Sequence, residues 1–195
     1  MKKGRFLLLS LALICIFTFA GCEEDENKIL KGKHHATIEV EDYGTIKVEL
    51  DADEAPLTVT NFVKLAKKGF YNGLTFYRVV DGFVIEGGDP LKNGRGSSDD
   101  KIKGEFSANG IDNSISHVRG TISMARKDSD YNGASCQFFI VQSDATQLDG
   151  QYAGFGHVTE GMDIVDQICT DTAVDENGNV AVEDQPVIKK IKIKD

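Results

Sequence analysis

The sequence predicts a mainly β protein, a closed eight-stranded antiparallel β-barrel capped by two α-helices. Three observations carry that expectation. From residue 36 onward, short segments alternate apolar and polar residues and are separated by Gly, Asn and Asp clusters. Two stretches carry an apolar stripe at helical spacing. The chain has no internal repeat and no β-α-β rhythm, so about eight short strands have to close on one another.

The elements follow in order. ATIEVE (36–41) and TIKVEL (45–50) alternate, and Asp42-Tyr43-Gly44 turns between them, so they form a hairpin. Pro56 opens a helix over LTVTNFVKLAKK, with Val59, Phe62, Val63 and Ala66 on one side and Gly69 just past its end. TFYRVV (75–80) and FVIEGG (83–88) are two further strands around Asp81-Gly82. Residues 91–119 are rich in Gly, Ser, Asn and Asp and read as long surface loops. GTISMA (120–125) and CQFFIV (136–141) are strands flanking the polar loop RKDSDYNGAS. GMDIVDQI (161–168) fits a second helix, with Met162, Val165 and Ile168 aligned. Asn177-Gly178 marks a turn, and VIKKIKIKD closes the chain as a strand.

The first 35 residues read differently. Lys2, Lys3 and Arg5 precede an apolar run, FLLLSLALICIFTFAG, which ends in small residues before Cys22. This is the layout of a secretory signal over residues 1–21. FAGC resembles the lipobox of bacterial lipoproteins, with Phe19 where Leu is usual. The resemblance implies lipidation of Cys22 with palmitate-type acyl chains and an extracytoplasmic domain anchored to the cell membrane. Residues 22–35, including EEDEN, then form an acidic tether, and 36–195 form the domain. Loss of the leader removes three cations, leaving 19 Lys and Arg against 31 Asp and Glu, a net charge of −12. Such a chain does not seek nucleic acid or anionic headgroups. The reading is of a monomer touching the membrane through its N-terminal lipid alone.

One charge sits where a core residue is expected. Arg78 lies in the centre of the apolar strand TFYRVV. Alternation puts Phe76, Arg78 and Val80 on one face, and Tyr77 and Val79 on the other. An unpaired cation cannot face a sealed core, so that face is expected to be the partly wet outside of the barrel. In CQFFIV, Gln137 and Phe139 share a face opposite to Cys136, Phe138 and Ile140. A strand pairing that brings Gln137 and Phe139 near Arg78 makes a groove with one cation, one amide and apolar walls.

FYRVVDGFVIEGGDP resembles the signature of the cyclophilins, the peptidyl-prolyl cis-trans isomerases. TNFVKLAKKGFYNG, HVRGTISMAR, GASCQFFI and LDGQYAGFG resemble the same family in the same order, over roughly residues 36–195. The resemblance implies the barrel fold and catalysis of X-Pro isomerisation without a cofactor or metal. It implies proline-containing peptides and unfolded exported proteins as partners. Arg78 matches the catalytic arginine. Phe83, Val84, Phe139 and Leu148 match the walls of the proline pocket, and Gln137 and Ala125 match residues that contact the substrate backbone. Tyr152 takes a position that is often His.

The chemistry accounts for these residue types. Rotation about a peptide bond costs about 18–20 kcal/mol because the C–N bond has partial double-bond character. Twisting localises the nitrogen lone pair, so a donor aimed at the prolyl nitrogen binds the twisted state better than the planar one. No nucleophile is required, and a permanently protonated, planar guanidinium suits the task.

Three positions depart from the family. Glu86 stands where Gln is usual, and either pairs with Arg78 and fixes its rotamer or draws it away from substrate. Gln147 stands where a Trp contributes to cyclosporin binding, which predicts weak cyclosporin affinity. Arg126 replaces a common Asn at the edge of the groove and favours acidic residues beside the substrate proline. Other features carry less. His34-His35 has no partner ligands, Val180 breaks a calcium-loop reading of Asp175, Asn177 and Asn179, and Cys136 has core parity. His117 and His157 sit in loops with no Ser or Cys in triad-like context. The alternative function is a proline-peptide-binding chaperone of low turnover on the same fold.

Overall fold

The computed structural model describes residues 28–127 and 129–195. The expected leader, Cys22 and the acidic run 23–27 lie outside the described residues. Among the described residues, eight strands and two α-helices are formed. β1 (Lys33–Val40) and β2 (Gly44–Asp51) make the first hairpin, and α1 (Pro56–Lys67) follows. β3 (Leu74–Val80), β4 (Val84–Gly87), β5 (Thr121–Met124), β6 (Phe138–Val141) and β7 (Ala153–Glu160) come next. α2 (Met162–Asp171) and β8 (Val187–Ile193) complete the chain. The strands close in the order β1-β2-β7-β5-β6-β4-β3-β8, each antiparallel to its neighbours.

Alternation builds the interior. Ala36 faces Val48 and Ile38 faces Ile46 across β1 and β2, and all four are buried in the core. Phe62 of α1 packs on Tyr71, Phe138 and Phe155 with ring centroids 5.2–5.5 Å apart. Those contacts seal one end of the barrel with the helix stripe read from the sequence. α1 has no capping side chain of its own. Instead the buried Glu105 accepts hydrogen bonds from the amides of Leu57 and Thr58 at 2.9 and 2.8 Å. A carboxylate there satisfies two orphan donors and complements the positive end of the helix. Val165, Ile168 and Cys169 are the buried side of α2, with Met162 partly buried beside them. Cys136 and Cys169 are both buried and free.

Four sequence expectations change. β1 begins at Lys33, inside the stretch expected to be tether, and its register with β2 holds His34 and His35 in the sheet. β7 is not evident from the sequence, because Gly154 and Gly156 supply no side chain to its alternation, and His157, expected in a loop, lies within it paired with Glu49 and Thr121. Residues 91–119 are not only a surface loop, since Glu105, Phe106 and His117 within them are buried. The face assignment in β3 also fails. Phe76 pairs with Gly87 and Arg78 with Glu86, so β3 carries one extra residue, a β-bulge at Tyr77. Phe76 therefore points into the core with Val79, while Arg78 faces out.

Candidate active site

Lateral pairing across the outer wall sets the site. Arg78 on β3 faces Glu86 on β4, Glu86 faces Phe139 on β6, and Phe139 faces Ser123 on β5. With strands about 4.8 Å apart, the row places a cation, a carboxylate and an aromatic ring in sequence across three strands. β3 and β6 do not pair directly. β4 lies between them, and its Glu86 sits between Arg78 and Phe139.

Arg78 is partly exposed. Its Nε donates to the Asn177 carbonyl at 3.2 Å and its Nη1 to Glu86 Oε2 at 3.4 Å. Nη2 has no hydrogen-bond partner among the described residues. Asn177 comes from the turn before β8, where Asp175 accepts the amides of Asn177 and Asn179 and fixes the loop.

Beside this cation lies an apolar cluster separate from the main core. Val84, Ala125, Phe139, Val141 and Ala145 are its buried members, and Phe83, Leu148 and Tyr152 close it as partly buried walls. Phe83 stands at the end of the β3–β4 turn, where Gly82 at φ 75° lets the chain reverse within a few residues. Leu148 belongs to the short 3₁₀ segment Thr146–Leu148, and Tyr152 meets the Phe139 ring edge-on at 5.7 Å. Every apolar residue assigned to the pocket from the sequence falls in this cluster or against it.

Gln137, one residue before β6, is held at both ends of its amide. It donates from Nε2 to the Gly96 carbonyl at 2.7 Å and accepts at Oε1 from the Tyr77 hydroxyl at 2.6 Å. Burial, and after it the nearby Glu86 charge, raise the Tyr77 phenol far above its ordinary range, so Tyr77 remains a donor. The bulge at Tyr77 is what brings this hydroxyl to the same side as Arg78. Gln147 is exposed and its carbonyl accepts from Gln151. Arg126 is packed among the rings of Phe106, Tyr131 and Tyr152 at 4.7–5.3 Å.

Sequence reasoning missed His117. It is fully buried, stacks on Phe139 at 5.9 Å with rings 21° apart, and bonds Asp149 Oδ1 through Nδ1 at 2.8 Å and Ser123 Oγ through Nε2 at 2.9 Å. Its carbonyl accepts the Ala145 amide at 2.7 Å. His117 thus supports the pocket from behind. Burial lowers its pKa, partly opposed by Asp149, so the ring favours its neutral form. The Asp-His-Ser chain is no nucleophile, because Ser123 is itself fully buried.

Comparisons with known proteins give the family and the fold. A family model described as "Cyclophilin type peptidyl-prolyl cis-trans isomerase/CLD" matches residues 35–195. A peptidyl-prolyl cis-trans isomerase of Helicobacter pylori is 44% identical over 136 residues, covering 69% of this chain and 79% of the relative. Peptidyl-prolyl cis-trans isomerase B of Bacillus subtilis is 44% identical over 124 residues, covering 64% of this chain and 82% of the relative. Peptidyl-prolyl cis-trans isomerase-like 2 of Rhizopus delemar is 39% identical over 180 residues, and the match spans only 31% of that longer protein. Among solved structures, a cyclophilin-type isomerase of Cryptosporidium parvum superposes with a TM-score of 0.75 at 28% identity, over 84% of this chain and 98% of that one. A second structure of that protein, in the presence of the dipeptide Ala-Pro, gives 0.73.

Proposed function

The chain belongs to the cyclophilin-type peptidyl-prolyl cis-trans isomerase family and is a peptidyl-prolyl cis-trans isomerase, and from that premise we propose how its own residues do the work. The proline ring of the substrate enters the apolar cluster between Phe83, Phe139 and Leu148, which excludes water. Arg78 donates a hydrogen bond to the prolyl nitrogen as the C–N bond twists and the lone pair localises. The donor is engaged more strongly in the twisted state than in the planar one, which is the condition for rate acceleration. Gln137, Ala125 and Arg126 line the path of the flanking peptide, with Val84 and Tyr152 completing the walls.

The observation that carries this reading is the placement of the Arg78 guanidinium on the outer wall, with only β4 between it and Phe139, and with Nη2 uncommitted among the described residues. The test is an isomerisation assay on a proline peptide with the purified chain and with Arg78→Ala. Wild-type protein no faster than the variant sinks the catalytic role of Arg78.

Glu86 favours a second reading. At 3.4 Å from Arg78 it competes with substrate for the guanidinium, which fits a proline-peptide-binding chaperone of low turnover. Exported, unfolded proteins are the proposed clients, met outside the cytoplasm by a domain held through acylated Cys22 and acting as a monomer. The support is the leader-like run, the FAGC sequence and the acidic stretch after it. Mass spectrometry of the mature N-terminus checks this, and an unmodified Cys22 would exclude the anchor. Weak cyclosporin binding follows from Gln147, and nanomolar affinity would contradict it.

A further inference from the structure

The turn between β3 and β4 carries one wall of the pocket and is held from outside the groove. Asp81 and Gly82 are exposed at its tip, and Phe83, which follows them, is partly buried against the pocket cluster. A Cβ on Gly82 would meet nothing within 4 Å, so the tip has no packing of its own. Exposed tips of this kind are ordinarily among the looser parts of a fold. Here a side chain from the neighbouring strand takes the place of the missing packing. It is Gln142, one residue past the end of β6.

Gln142 is buried, and both ends of its amide are engaged. Oε1 accepts the Gly82 amide, and Nε2 donates to Asp81 Oδ1 at 3.1 Å and to Asp166 Oδ1 at 3.4 Å. Its main chain extends the β4–β6 ladder, since the Gln142 amide donates to the Phe83 carbonyl at 2.8 Å. The Gln142 carbonyl accepts from Arg119 Nη1 at 2.7 Å, and Arg119 grips Asp166 with Nη1 and Nη2 at 2.9 and 2.7 Å. Such a two-pronged pair has a fixed geometry, and Arg119 holds the Asp166 carboxyl below the ordinary carboxylate range. Asp166 belongs to α2, whose buried residues Val165, Ile168 and Cys169 sit in the main core. A continuous chain of contacts thus runs from α2 through Asp166 and Gln142 to the turn. Of the residues assigned to the proline chemistry, only Phe83 takes part in it, at its end.

We propose that Gln142 is a positioning residue of the isomerase, which sets the place of Phe83 in the proline pocket from α2, with the Arg119–Asp166 pair behind it. The proposal rests on the isomerase reading for the role of Phe83. A glutamine suits the position because its amide offers an acceptor to the Gly82 N–H and donors to two carboxylates. A carboxylate there would keep the acceptor but meet Asp81 and Asp166 with like charge. An apolar side chain would leave the Gly82 amide without this partner. Arg78 keeps partners of its own, Asn177 and Glu86, so the chain acts on the grip of the proline ring and not on the donor.

The experiment places Gln142→Ala and Asp166→Asn in the full chain, each alone and each together with Phe83→Ala. The readouts are kcat and KM for a proline peptide, Kd for the same peptide by fluorescence anisotropy, and the NMR signals of the Phe83 ring without ligand. Gln142→Ala raises KM and Kd by about fivefold, with kcat changed by less than about twofold, as for neighbours coupled by direct contact. Asp166→Asn, at a half-exposed site, raises them by about twofold. In the Phe83→Ala background neither substitution raises them further, because the ring through which they act is gone. The Phe83 ring signals shift or broaden in both single variants, while those of Phe138 stay in place. A merely structural role would lower the thermal midpoint and leave the effect on KM undiminished without the ring. Effects on KM and Kd that persist in full with Phe83→Ala, or Phe83 ring signals unmoved in both variants, overturn the proposal. If Gln142→Ala does not fold, Asp166→Asn decides it. If the wild-type chain turns over no peptide, the isomerase reading fails, while Kd and the ring signals still decide this one.

Discussion

β6 has two faces with the same kind of residue and opposite duties. Phe138 and Ile140 point inward, are fully buried, and meet Phe62, Tyr71 and Phe76. Phe139 and Val141 point outward into a smaller apolar cluster whose walls Phe83, Leu148 and Tyr152 stay partly open. Phe138 is enclosed on all sides by the main core, whereas Phe139 is buried in a smaller cluster with partly open walls, the place the proposed proline pocket occupies. The difference lies in what packs on each ring: the α1 residue Phe62 inside, and the loop residues His117 and Tyr152 outside.

Adjacent substitutions test this contrast most sharply. Phe138→Ala removes a ring from a closed core and should cost about 3–5 kcal/mol, read as a lowered denaturation midpoint. Phe139→Ala should cost less stability and lower kcat/KM by about 10- to 100-fold. Equal stability losses with unchanged activity in Phe139→Ala would erase the distinction. Next in size is Arg78→Ala, which should lower kcat/KM by about 10²–10³, as for loss of one transition-state donor, with little change in thermal midpoint. Glu86→Gln should raise kcat/KM by up to about fivefold, the range of a partly exposed ion pair. A gain of a hundredfold would instead show that the native site is a damped one and favour the binding-chaperone reading.

The smallest effect concerns pH. Burial holds the His117 pKa below its ordinary 6.5 in the folded protein. The unfolded chain therefore takes up this proton first, so the contribution to stability is fully present above about pH 6.5 and declines as pH falls below it. His157 shifts in the same direction. The readout is accordingly the difference in slope: His117→Asn should show a shallower loss of stability between about pH 6.5 and 5 than the parent. Identical slopes would detach the pocket support from His117.

Much of this was legible in particular residues. The alternation of ATIEVE, TIKVEL and CQFFIV gave the inward and outward faces correctly, and the Phe62 stripe gave the helix that seals the barrel. Arg78 was placed outside on the right argument, that a cation cannot be sealed in, although its strand partner Phe76 was placed with it wrongly. Period-two reading assumes an unbroken ladder, and the bulge at Tyr77 breaks it. Leu148 and Tyr152 lie on a short turn and a connection, where no periodicity exists to read, so they came from family resemblance alone. His117 was illegible because its role depends on Asp149, 32 residues away, and on a ring reached across the sheet. The bond from Tyr77 to Gln137, 60 residues away, was invisible for the same reason.

The ring of hydrogen bonds that runs unbroken from β1 round to β8 has a consequence for what happens after the twist. Substrates of such an enzyme are extended segments with unsatisfied backbone donors and acceptors, and they would add as a further strand to any open sheet border. A barrel whose ladder returns to its starting strand offers no such border. The closure that stabilises the fold thus also denies an extended peptide a strand to pair with.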